Sequence, residues 1–139
     1  MMIESTKIDF RYRCVRQVSD VTDLVQMFFP GNRNQQHAAA RILLELRAAS
    51  GIKSTLTFLQ KEHGISRRTL QRTRAKLARL GLIEHVSWMN TRYGGQTGWK
   101  LSSRMDAALR HIANKINEWR NDKRPDRRAK DEQLTELLK

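Results

Sequence analysis

Between Gly64 and Gly81 the chain reads GISRRTLQRTRAKLARLG, with six Arg or Lys and no Asp or Glu. Exposed helices usually mix charge signs, because opposite charges four residues apart attract and like charges repel. At about 100° per residue, Leu70, Thr73, Leu77 and Leu80 gather on one side. Arg68, Arg72, Ala75 and Arg79 fall opposite, Gln71 and Lys76 flank them, and Arg67 and Arg74 lie beside the core edge. Such a stripe is chemically suited to a polyanion. A guanidinium can bridge guanine O6 and N7, a Gln amide can bridge adenine N6 and N7, and an Ala methyl can meet a thymine methyl. A plain solvated basic face is the alternative. Against it, residues 53–104 carry eleven Lys and Arg but only two acids, Glu62 and Glu84.

Other chemistry is less evident. His37, His63, His85 and His111 have no metal-ligand spacing among themselves or with Cys14. No Gly-rich phosphate loop follows a strand, and no nucleophile–base pair stands out. The expectation is therefore no enzyme, no cofactor and no metal. The single Cys14 rules out an intrachain disulfide and suits a reducing compartment. The N-terminus lacks a basic-then-apolar leader, and no apolar run approaches the ~20 residues of a membrane helix. A cytoplasmic protein without a membrane partner is expected. The 139 residues suit one domain with extensions, and a net charge of +13 makes nucleic acid the first candidate partner.

The elements that must position the stripe follow from periodicity. Residues 7–16 alternate, with Ile8, Phe10, Tyr12 and Cys14 on one face, which predicts a strand or extended arm. Ser19 or Asp20 caps a helix that Pro30-Gly31 ends. Asn34 is placed to cap a second helix, with Ala39, Ile42, Leu43, Leu46 and Ala49 inward and Gly51 as its stop. A short helix after Ser54 turns Leu56 and Leu59 inward, and Gly64 breaks it before the basic helix. Ser54 or Thr55 can cap that short helix or donate to phosphate. Two strand-like runs, LIEHVSWM and GWKLS, flank the turn signal Gly94-Gly95, and Trp88 and Trp99 are expected to pair across them. Residues 104–120 predict a long helix with Met105, Leu109, Ile112, Ile116 and Trp119 at steps of 4, 3, 4 and 3. Pro125 breaks the charged tail, whose last residues can form one more short helix.

The segment LTFLQKEHGISRRTLQRTRAKLARLGLIE and the run SWMNTRYGGQTGWKLS resemble the winged helix-turn-helix superfamily. The likeness covers residues 36–102. A following long helix is similar to that of MarR-like and archaeal Lrs14-like regulators. The resemblance implies a mainly α fold with a small β-hairpin wing, an N-terminal extension and a long C-terminal helix. Its parts are an N-terminal strand or arm and helix (1–34), the winged helix-turn-helix (35–103), a C-terminal helix (104–121) and a charged tail (122–139). It also implies sequence-specific binding of double-stranded DNA by a transcriptional regulator, with helix 66–80 in the major groove and the wing, 90–98, on an adjacent groove or phosphates.

On that basis Arg67, Arg68, Gln71 and Arg72 are expected at or near bases, and Lys76 and Arg79 at phosphates. Arg92 and Tyr93 at the hairpin tip are expected on a groove, phosphate or sugar, with Lys100 and Arg104 adding phosphate contacts at the wing base. A homodimer is expected through Met105, Leu109, Ile112, Ile116 and Trp119, although the same stripe would serve to pack on its own domain. Two other functions fit the same elements: a plasmid or viral replication-initiation or partition protein, and an RNA-binding or protein-interaction winged helix.

Overall fold

The computed structural model describes residues 7–49, 51–87 and 97–139. In chain order the elements are α1 (Tyr12–Arg16), α2 (Val21–Phe28), α3 (Arg33–Ala49), α4 (Phe58–His63), α5 (Arg67–Leu80), β1 (Ile83–Val86), β2 (Gly98–Leu101), α6 (Arg104–Asn121) and α7 (Pro125–Glu136). The fold is mainly helical with one small antiparallel sheet of two strands. The chain divides into two units, 1–105 and 106–139, and the boundary falls within α6.

In the first unit, α2, α3, α4 and α5 enclose a single core. Val25, Phe28, Phe29, Ala38, Ala39, Ile42, Leu46, Leu56, Leu59, Leu70, Leu77 and Ile83 are all buried in it. Local chemistry sets the helix limits. The Asp20 carboxylate accepts from Asp23 N at 3.0 Å and starts α2. The second helix begins earlier than its periodicity suggests. Asn32, not Asn34, supplies the cap, its Oδ1 accepting from Gln35 N at 3.0 Å. Helix α4 ends at Gly64, whose φ of +64° suits a residue without a Cβ.

Of the strand or extended arm expected over residues 7–16, no strand forms. Residues 12–16 form one turn of helix instead. Alternation loses because its apolar face has nothing to cover it: Phe10 is 52% exposed and Tyr12 74%. Ile8 alone of that face packs against the core, while the Asp9 carboxylate takes the Arg11 N–H and guanidinium and turns the chain.

Strands β1 and β2 pair with Ile83 opposite Leu101, Glu84 opposite Lys100, His85 opposite Trp99 and Val86 opposite Gly98. A third backbone segment joins them. Lys53 N donates to Trp99 O, and Trp99 N donates to Lys53 O, both at 2.8 Å. Gly98 makes this approach possible. Its φ is +153°, and a Cβ there would collide with the Lys53 carbonyl and lie 2.7 Å from the Ile52 methyl. Trp99 meets its partner in the register, His85, edge-on at 4.9 Å, and Trp88 lies outside the described residues.

In the second unit, α6 leaves Leu109, Ile112, Ile116 and Trp119 exposed. Helix α7 starts with Pro125 in its first turn, where the missing N–H costs nothing, so this proline opens a helix. No helix among the described residues is long and apolar enough to cross a membrane.

Candidate nucleic-acid interface

The basic helix α5 is held at both ends. Gly64, Ile65 and Ser66 make a three-residue turn from α4, with Ile65 buried and its N–H on the Gln60 carbonyl at 3.2 Å. Ser66 Oγ accepts from Thr69 N at 3.1 Å and caps the first turn. At the far end Gly81 takes φ +86°, and its carbonyl accepts from Met105 N at 3.0 Å. Leu70, Thr73 and Leu77 are buried, which fixes the rotation of the helix about its axis.

That rotation sorts the six cations. Arg67, Arg68, Arg72 and Arg79 are exposed, together with Gln71. Arg67, Arg68 and Arg72 make no ion pair among the described residues. The remaining two cations serve the fold. Arg74 lies over the Trp99 ring at 4.8 Å, and Lys76 lies over the Phe29 ring at 4.7 Å.

Lys76 is thus a correction to the sequence-based site. It is only 7% exposed, and its Nζ donates to the Lys7 carbonyl at 2.8 Å. Burial, reinforced by the like charge of Arg79, lowers its pKa below the ordinary lysine value. The wheel places Arg74 and Lys76 symmetrically about the leucine face, so an aromatic waiting at each edge captures both. Phe29 and Trp99 were the missing information, because neither is near α5 in sequence.

Lys100 and Arg104 share one acid. The Glu84 carboxylate receives Lys100 at 3.2 Å and Arg104 at 3.2 Å. Ser102 Oγ donates to the same carboxylate at 3.3 Å. Arg92 and Tyr93 lie outside the described residues. Ahead of α4, Thr55 Oγ1 accepts from Thr57 N at 3.2 Å, which accounts for that hydroxyl as a local turn. Met105 is a second correction, being 8% exposed and part of the first unit's core. The exposed stripe on α6 therefore begins at Leu109.

Elsewhere, a groove of about 700 Å³ is lined by Asp9, Arg11, Cys14, Asp23, Arg33 and Gln36, among others. Four of its polar groups have partners within the fold. Arg11 pairs with Asp9 at 2.8 Å and holds that carboxyl well below the usual range, Asp23 accepts from Ser19, and Gln36 donates to the Phe29 carbonyl. Among the described residues, no group of three or more His, Cys, Asp or Glu is arranged to hold a metal ion. Comparison with known proteins yields no matching family model, no matching curated protein and no matching solved structure.

Proposed function

We propose that the first unit is a winged helix-turn-helix that binds double-stranded DNA sequence-specifically, with α5 in the major groove, and that the protein acts as a homodimeric transcriptional regulator. One observation carries the proposal: Arg67, Arg68, Gln71 and Arg72 project from the outer face of a helix whose opposite face is locked in the core. Two of these cations also oppose the helix dipole. Arg67 and Arg68 occupy the first turn of α5, which contains no acid. A cation there is disfavoured by the positive end of the helix, and an incoming phosphate reverses that cost. The order α3, bridge at Lys53, α4, three-residue turn, α5, β1, β2 supports the winged arrangement. Phosphate contacts supply affinity and the exposed N-terminal half of α5 supplies base readout.

The test is selection of binding sites from random duplex DNA at roughly 150 mM salt, followed by titration of Arg72→Ala on the selected site. An enriched motif is expected, and Arg72→Ala should cost about 1–3 kcal/mol there while relaxing preference at one position. A protein that enriches no motif, or binds RNA equally well, would refute the DNA assignment. Clustered repeats instead of a palindrome would favour a replication or partition role.

A further inference from the structure

The outer face of α5 has two borders, and a captured cation marks each. On one flank Arg74 lies over the Trp99 ring of β2 at 4.8 Å, which sets the hairpin beside the helix. On the other flank Lys76 lies over Phe29 at 4.7 Å and donates from Nζ to the Lys7 carbonyl at 2.8 Å. Residue 7 is 69 positions from Lys76 in sequence, so this bond brings the N-terminal extension to the edge of the basic face. The next two residues fasten it there. Ile8 packs against the core, and Asp9 N donates to the Met27 carbonyl at 2.9 Å.

That anchorage uses only the main chain of residue 7, and Lys7 itself is exposed. The border therefore loses one ammonium, that of Lys76, and gains another. Besides burial, the like charge of Arg79 lowers the pKa of Lys76, which puts Arg79 at the same border. Arg72 precedes Lys76 by one helical turn. Cations from two distant parts of the chain thus gather along one flank of α5. Gathering like charges costs free energy in the unbound protein, and an approaching phosphate relieves that cost.

A major groove is about 12 Å wide and is bounded by the phosphates of both strands. A helix lying in it has one strand on each flank. The hairpin borders α5 on one flank, and the segment at Lys7 borders it on the other. We infer that Lys7, held beside α5 through its own carbonyl, contacts a backbone phosphate on the DNA strand opposite the one that faces the hairpin. The N-terminal extension thereby becomes part of the DNA interface, an inference that rests on the reading of α5 as the groove-binding helix.

The experiment titrates the full chain on its selected duplex at roughly 100–300 mM salt, with ethylation interference mapped on each strand. Lys7→Ala should bind roughly threefold to tenfold more weakly, on selected and unrelated duplexes alike, and the salt slope should fall by about 0.9. Interference should be lost at the contacted phosphate, within about three base pairs of the position whose preference Arg72→Ala relaxes. Lys7→Arg should keep both affinity and slope. The urea midpoint should not move in either variant, because any residue at position 7 retains the carbonyl that Lys76 needs. If Lys7→Ala changes neither affinity nor slope while Arg72→Ala still relaxes base preference, the contact is overturned and α5 remains the recognition helix. Weaker binding with an unchanged interference pattern overturns it too, since the charge then acts only at a distance. A chain that selects no duplex overturns the contact and the reading of α5 together.

Discussion

Gly81 and Gly64 form a natural pair for testing what positions α5. Both end a helix with positive φ, +86° and +64°. Only their surroundings differ. A Cβ on Gly64 would meet nothing within 4 Å, whereas on Gly81 it would lie 2.9 Å from Arg104 Cβ and 3.0 Å from Met105 N. The second neighbour is backbone at the start of α6 and cannot swing aside. Gly64→Ala should therefore cost only the left-handed conformation, about 1–2 kcal/mol. Gly81→Ala should cost the same plus about 1–2 kcal/mol of overpacking, or loss of the 3.0 Å Met105 N to Gly81 O hydrogen bond if the backbone yields. The expected totals are roughly 1–2 and 2–4 kcal/mol. Urea unfolding of the two variants by circular dichroism, at equal m-values, measures both. Equal losses would refute the argument that α5 is held through tight contact between Gly81 and the start of α6.

Other expectations test the interior of α5. Thr73 is fully buried, and among the described residues its Oγ1 has no hydrogen-bond partner. Thr73→Val should raise stability by about 1 kcal/mol in the same urea assay, since it removes an unsatisfied hydroxyl without changing shape; a loss would mean that the hydroxyl has a partner. Lys76→Met should leave the salt dependence of DNA binding unchanged, and a flatter salt slope would return Lys76 to the interface. The same variant tests linkage. Because the folded-state pKa of Lys76 is lowered from 10.5, the unfolded chain binds more protons between the two values. Wild-type stability should rise with pH across that window, relative to Lys76→Met, and an unchanged difference would contradict the burial of its ammonium.

Helix boundaries and the leucine face of α5 were legible because they depend on neighbours in sequence. Gly64 and Gly81 declare the ends of α4 and α5, and Leu70 and Leu77 declare the inward side. The exposure of Arg68, Gln71 and Arg72 follows from the same wheel, whereas Arg67, which the wheel sets beside the core edge, is exposed as well. Lys76 was misplaced because its fate depends on Phe29 and on the Lys7 carbonyl, which reach it only after folding. The ion pair between Glu84 and Lys100 was hidden for a related reason: the two lie opposite each other only once the strands have paired in register. The first residues misled through alternation, which predicts a strand only if another strand is there to meet it. Met105 shares the spacing of the α6 stripe yet belongs to the core, because periodicity describes a face and not how far along the helix that face is covered.

The bridge between Lys53 and Trp99 has a further consequence for how the molecule assembles. These residues are about 46 positions apart, and bringing such distant points together costs on the order of 3 kcal/mol in chain entropy. Helices α4 and α5 and strand β1 all lie inside the loop so closed. Once the two 2.8 Å bonds form, every contact within that loop is made between segments already confined, at little additional entropic cost. Gly98, by admitting the Lys53 carbonyl where a side chain would exclude it, is the clasp of that loop. A methyl group added there would act on the search for the fold as much as on the finished structure.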